Sequence, residues 1–309
     1  MPPRRPKIRG NLSKKNPAKI KFLFILLTLL GLIFSIYKIY SRKNLWSGEQ
    51  KMAVVVQENK EDVSILIFDP VSEEITRISI PGNTQVEVAG NLGVWKIKSV
   101  WDLGKNENLD GSLLAKTVAK NFKFPVYVWS DKGILGFLST NPFDVIKAIV
   151  LPYETKLGVI DKILIGSFSL NIKNANRIDV DLRETLFLKK LTLTDGTEGF
   201  GISNLSSQNI LAKFADHSIS GKNYTVIIRD STGEPGVSEK VGEIVEVFGG
   251  KVASIKKEED KDALCAVWGK DTEIAKKVAS IFGCELNSDP FEGNFDLEIT
   301  LGNKFTHSF

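Results

Sequence analysis

Two cysteines, two histidines, a short run of alternating arginines and aspartates and a group of tryptophans are the side chains of this sequence whose types could do chemistry. His217 and His307 have no second ligand cluster near them in the sequence, which argues against a zinc site. Cys265 lies in Leu264-Cys265-Ala266-Val267-Trp268, which reads as a strand, and Cys284 follows a helix over residues 272–282. A strand and the end of its following helix can come within bridging distance, so a disulfide and two buried free thiols both stand open. In Arg177-Ile178-Asp179-Val180-Asp181-Leu182-Arg183 the charges alternate, as on the polar face of a half-exposed strand rather than in a phosphate site. Trp95, Trp101, Tyr127 and Trp129 are close in sequence and have the right chemistry to stack on a sugar or touch a lipid tail, although core packing is the simpler account and the preferred one. No Gly-x-Ser-x-Gly elbow, P-loop or dinucleotide glycine fingerprint occurs.

The elements that must position these residues follow from the apolar pattern. Met52–Val56 and Ser64–Phe68 are short apolar runs, and Ile75-Thr76-Arg77-Ile78-Ser79-Ile80 alternates with period two before the turn Pro81-Gly82-Asn83. Together they predict paired strands of one sheet. Leu113, Leu114, Val118, Ala119 and Phe122 share one face of a helix over 112–122, and the strand-like Val126–Trp129 follows. Phe143–Leu151 reads as a helix, Lys162–Ile172 as a strand, and 194–199 as an exposed loop. From residue 224 the order is strand, helix, strand, strand, helix, strand, a βαββαβ unit expected to be of the split-βαβ kind. Its first turn, Asp230-Ser231-Thr232-Gly233-Glu234-Pro235-Gly236, precedes a helix whose free amides could hold an anion, but Glu234 opposes one and a tight turn is reason enough for the glycines.

Residues 22–37 carry no charge, and every ionisable side chain before them is basic. Sixteen residues span only about 24 Å as a helix, but Ile39, Tyr40 and the snorkelling Lys21 and Lys38 bring the segment to spanning length. The sequence therefore predicts a basic cytoplasmic tail over 1–21, a single membrane span over 22–40 and an extracytoplasmic remainder. No small-x-small cleavage pattern follows, which disfavours a cleaved signal peptide. Eleven basic residues and no acids precede Asn44, so removing eleven from the net +4 leaves the outer part at −7. That balance excludes a phosphate backbone as ligand and leaves the tail to meet anionic lipid, so the expected partners include the bilayer and no nucleic acid.

Asp62-Val63-Ser64-Ile65-Leu66-Ile67, Ile78-Ser79-Ile80-Pro81, Lys96–Gly104, the helix after it and Phe124-Pro125-Val126-Tyr127-Val128 resemble, in order and spacing, the first half of a LytR-CpsA-Psr domain. The turn at 230–236 and the closing pair Leu301-Gly302 resemble a LytR C-terminal domain over 223–304. These resemblances imply a mixed α/β fold with a LytR-CpsA-Psr-like domain over 50–215 and an accessory domain over 223–304. They imply a cell-envelope role, in which family members move glycopolymer from a polyprenyl-pyrophosphate lipid onto the cell wall with Mg²⁺. Such chemistry needs arginines on the pyrophosphate and carboxylates on the metal. Where the family reads Ser-Ile-Pro-Arg-Asp, this chain reads Ser79-Ile80-Pro81-Gly82-Asn83. The expectation is therefore a binding or scaffolding relative, with no cofactor and with cell-wall glycopolymer or a polyprenyl-linked glycan as partner. The alternative is an active transferase that uses Mg²⁺ and the displaced residues Asp62, Arg77 and Lys96. Asp62 alone matches an expected metal-side acid, and an aspartate ahead of a strand is commonly a turn or cap residue.

Overall fold

The computed structural model describes residues 44–309, apart from 60, 194, 204, 206, 288 and 290–292. The expected basic tail and membrane span lie outside the described residues. Among the described residues no helix is long and apolar enough to cross a membrane.

Strands β1 (Met52–Gln57), β2 (Asp62–Asp69) and β3 (Glu74–Pro81) form an antiparallel meander. β1 and β2 are buried on both faces, which is why they read as continuous apolar runs. On β3 Arg77 and Ser79 share one face and are half-buried, while Ile78 and Ile80 are buried on the other. After β3 come the small hairpin β4 (Gln85–Glu87) and β5 (Val94–Lys96), then helices α1 (Val100–Asn106) and α2 (Ser112–Phe122). The chain returns through β6 (Val128–Asp131), parallel to β1. Helices α3 (Pro142–Val150) and α4 (Val159–Asn171) lead to β7 (Arg177–Asp181), parallel to β3. The first sheet therefore has the order β6-β1-β2-β3-β7. A second hairpin follows, β8 (Leu188–Thr192) and β9 (Glu198–Ile202).

Lys162–Ile172, expected as a strand, is instead most of α4. The helix starts where the Asp161 carboxylate accepts from the Gly158 N–H at 2.9 Å, a local cap that outweighs the strand preference of the β-branched residues after it.

The second sheet is built from β10 (Thr225–Ser231), α5 (Val237–Val247), β11 (Lys251–Lys257), β12 (Cys265–Gly269), α6 (Thr272–Phe282), the two-residue β13 (Glu285–Leu286) and β14 (Leu297–Gly302). Its order is β11-β10-β14-β12-β13. The expected split-βαβ arrangement is thus corrected: β10 and β11 are hydrogen-bonded parallel neighbours with no strand between them. β14 pairs with β10 on one side and antiparallel to β12 on the other, because β13 first continues parallel to β12 and the chain must then reverse. Cys265 and Cys284 are joined as a disulfide between β12 and the end of α6.

Residues 44–309 form one compact unit, and the buried apolar side chains of both sheets belong to one continuous core. Phe305 and Phe309 stack at 5.2 Å beside Phe282, and Lys116 on α2 donates to the Ser308 carbonyl at 3.2 Å. Lys277 on α6 pairs with Asp216 at 2.8 Å, both nearly buried.

Candidate functional site

The turn after β3 decides what this surface can do, because it carries the residues at which the sequence departs from its resemblance. Pro81 pairs with Asp62 across the β2–β3 ladder, and the Asp62 carboxylate accepts from the Gly82 N–H at 3.2 Å. Gly82 is buried, with the Glu61 carbonyl oxygen lying where a side chain would start. A Cβ built there would stand 1.7 Å from that oxygen and 2.9 Å from the Lys98 Cβ, so no side chain, least of all an arginine, fits without the backbone moving. The Gly82 carbonyl is taken by the Lys98 N–H at 3.2 Å.

Asn83 is equally engaged. Its amide donates to the Glu198 carbonyl at 3.1 Å, its own carbonyl accepts from the Phe200 N–H at 3.3 Å, and Thr84 bridges to Phe200. These contacts dock the β8–β9 hairpin onto the turn. Lys96 holds the same hairpin from the other end, donating to Asp195 at 2.6 Å and to the Thr197 hydroxyl at 3.1 Å. The Lys96 ammonium, helped by the Thr197 hydroxyl and N–H, keeps the Asp195 carboxyl well below the usual carboxylate range.

Arg77 sits in β3 opposite Leu66, four residues before Pro81. Its guanidinium forks onto Glu58, with Nε to Oε1 at 2.8 Å and Nη2 to Oε2 at 2.5 Å, and Asp179 on β7 lies 3.9 Å away. An arginine held bidentate by one carboxylate with a second nearby presents net negative charge and has its fork in use, so it repels a diphosphate. Asp62, Arg77 and Lys96 lie on three different strands, and among the described residues no hydrogen bond or ion pair joins any two of them. Glu58, Asp195 and Lys98 are the charged residues here that sequence reasoning missed. The pairing of Glu58 and Asp195 and the backbone bond from Lys98 depend on register and on hairpin docking, for which no local pattern exists.

Among the described residues no three His, Cys, Asp or Glu side chains come close enough to hold a metal ion. The Mg²⁺ that the resemblance implies requires several hard oxygen ligands. Asp62 is turned to a backbone N–H, Glu58 and Asp179 face Arg77, and Asp195 is held by Lys96, so the acids here do not converge to fit one.

The other candidates serve structure. Arg177 turns inward and donates to the carbonyls of Phe137 at 3.1 Å and Ser169 at 2.6 Å. Trp101 and Trp129 meet edge to face at 5.7 Å over Gly111, whereas Trp95 points away and donates to the Leu92 carbonyl. Burial raises the pKa of the Tyr127 hydroxyl, so it stays protonated. At the start of α5, the buried Asp230 carboxylate accepts from the Thr232 N–H and hydroxyl and from the Ser238 hydroxyl, occupying the ground an anion would need.

No family model matches the chain, and no curated protein matches it. Solved structures similar to it include TagV of B. subtilis, at a TM-score of 0.40 and 10% identity over 51% of this chain and 92% of that one. TagT of B. subtilis is similar at a TM-score of 0.38 and 12% identity, over 52% of this chain and 88% of that one. A LytR-CPS2A-psr family protein, YwtF (TagT) with bound octaprenyl pyrophosphate lipid, is similar at 0.37 and 12%, over 52% and 87%.

Proposed function

We propose that this chain is a membrane-anchored, extracytoplasmic relative of the LytR-CpsA-Psr proteins that binds or scaffolds in cell-wall glycopolymer assembly without catalysing transfer. Its partners in this reading are the bilayer and either cell-wall glycopolymer or a polyprenyl-linked glycan. The segments over 62–67, 78–81 and 96–104 support the relationship, and the charge-free run at 22–37 behind a wholly basic tail supports the anchor.

One observation carries the non-catalytic half of the reading. At the position where the family resemblance calls for arginine, the Glu61 carbonyl occupies the place of a Cβ. Diphosphate transfer depends on positioned cations that neutralise charge as it develops. Here the candidate cations Arg77 and Lys96 are already paired with Glu58 and Asp195. The test incubates the full chain with Mg²⁺ and a polyprenyl-pyrophosphate-linked glycan and assays pyrophosphate cleavage and glycan transfer. No turnover is expected, together with retention of the glycan or of isolated cell-wall material. Turnover that vanishes on Asp62→Ala would establish the transferase instead.

A further inference from the structure

Helices α3 and α4 turn apolar side chains outward in a way that a globular surface does not need. On α3, Phe143, Ile146 and Val150 follow i, i+3, i+7 and are exposed, Phe143 by 73% and Val150 by 71%. On α4, Val159, Ile163 and Leu170 follow i, i+4, i+11 and are also exposed. The two helices approach closely at Gly166, where a Cβ would lie 2.6 Å from the Ile149 Cδ1 and 3.3 Å from a Val145 methyl. The two apolar stripes flank that crossing and so form one patch, the kind of surface that marks an interface.

What covers it follows from where the described chain begins. The Leu45 and Trp46 N–H groups both donate to the Asp161 carboxylate in the first turn of α4, at 2.9 and 3.1 Å. The Trp46 ring packs edge-on against Phe168 of the same helix at 5.7 Å. The apolar run read as a membrane span ends at Tyr40, so residues 41–44 alone separate it from this attachment. Four residues reach about 14 Å at full extension. We infer that the α3–α4 face is a membrane-docking surface, its Phe, Ile, Val and Leu side chains seated in the outer boundary of the bilayer that holds the anchor. A soluble partner would have to enter the narrow space that so short a tether leaves, whereas the bilayer is already there. Lys147, exposed between the α3 stripe residues and only loosely paired with Asp144 at 3.4 Å, has the length to reach headgroups. This inference rests on the anchored reading above, and its test separates the two.

The full chain, with its native disulfide intact, is placed in phosphatidylcholine nanodiscs with and without doxyl-labelled lipid. Each variant carries one environment-sensitive fluorophore, at Phe143→Cys, Ile163→Cys, Leu32→Cys within the expected span, or Lys256→Cys on the far sheet. The expected result is that doxyl lipid removes about half or more of the emission at 143, 163 and 32 and roughly a tenth or less at 256, as for apolar faces lying in the interface. Quenching at 32 with none at 143 or 163 overturns the docking face and leaves the anchor standing. Quenching at 143 and 163 with none at 32 supports the docking face and sinks the anchor, and quenching at none of the three sinks both. A Val150→Cys probe in a Phe143→Glu, Ile163→Glu background, whose altered side chains are exposed and leave the melting temperature in place, loses its quenching if the patch makes the contact.

Discussion

Putting a methyl group on Gly82 tests the geometry from which the non-catalytic reading starts. Its Cβ would stand 1.7 Å from the Glu61 oxygen, and real Cβ contacts essentially never fall below 3.0 Å, so the β1–β2 turn and the β3–β4 turn must separate by at least 1.3 Å. Opening by that amount stretches the Gly82 N–H to Asp62 and Lys98 N–H to Gly82 hydrogen bonds, each 3.2 Å now, beyond bonding range. Two lost hydrogen bonds at about 1 kcal/mol each, added to about 1–3 kcal/mol of overpacking, give roughly 3–5 kcal/mol for Gly82→Ala. For a folded unit of this size that corresponds to a fall in melting temperature of about 6–20 °C. Gly236→Ala is the matched control, since it has a positive φ of 83° but nothing within 4 Å of the new methyl. It carries only backbone strain of about 1–2 kcal/mol and a fall of about 2–8 °C. Both are read by differential scanning calorimetry on the same preparation. If Gly82→Ala melts within about 2 °C of the parent, the turn opens cheaply, an arginine can be carried there, and the steric argument is refuted. Gly82→Arg with Asn83→Asp, which rewrites the family motif, is expected to melt at least as early as Gly82→Ala and to gain no transfer activity.

Three further outcomes follow from other parts of the molecule. Replacing both Cys265 and Cys284 by alanine releases a loop with a sequence separation of 19 and should lower stability by roughly 3 kcal/mol, read by denaturant titration; an unchanged midpoint would mean the bridge constrains nothing. Lys277→Met leaves the Asp216 carboxylate, 1% exposed, without its cation and should cost about 3–5 kcal/mol, part of which Asp216→Asn restores in the double variant; a single variant as stable as the parent would refute the pairing. Burial pushes the Asp69 carboxyl upward, but the Lys51 ammonium at 2.9 Å outweighs it, and the Thr232 and Ser238 hydroxyls do the same for buried Asp230, so both titrate below their ordinary range. Groups with depressed folded pKa values stabilise fully above their unfolded pKa, so melting temperature should hold down to about pH 5 and fall as pH drops further through the folded values; a melting temperature that rose below pH 4 would contradict the assignment.

The legible parts of the fold were those where burial acts on the chain locally. β1 to β3 declared themselves because two are buried on both faces and the third alternates, and α2 because Leu113, Leu114, Val118, Ala119 and Phe122 all face the core. α4 did not, and the reason is physical. A helix is recognised by a polar stripe opposite its apolar one, and α4 exposes Val159, Ile163 and Leu170, so the contrast is missing. The same outward apolar face that disguised the helix is the one assigned to the membrane surface. β13 escaped notice because two residues have no pattern, and the departure from the split arrangement, β10 pairing directly with β11 while β14 lies on its other side, is a matter of strand order that no local pattern encodes. At the site, the sequence disclosed Gly82 and Asn83 where the resemblance calls for arginine and aspartate, but not what surrounds them. A backbone carbonyl from Glu61 and a hairpin from residues 188–202 are brought there by tertiary contacts that leave no mark on neighbouring residues.

The turn is held by contacts that its own residues make with the β1–β2 turn and the docked hairpin. Glycine at 82 lets the Glu61 carbonyl in, and the docked carbonyl in turn forbids any larger residue. Asn83 uses both its amide and its carbonyl to hold β9, a role that an ionised aspartate, which has no donor, cannot fill towards the Glu198 carbonyl. Lys96 is tied to Asp195 in the same hairpin, and Arg77 to Glu58 in the turn beside Asp62. Arg77 and Lys96, the two cations the resemblance offered as substitutes, are each paired with a carboxylate of the chain, which limits what either can give a diphosphate. Turning both toward a shared ligand would require freeing the hairpin from Lys96 and removing Glu58 from Arg77 together, and neighbouring changes of this kind are coupled rather than additive.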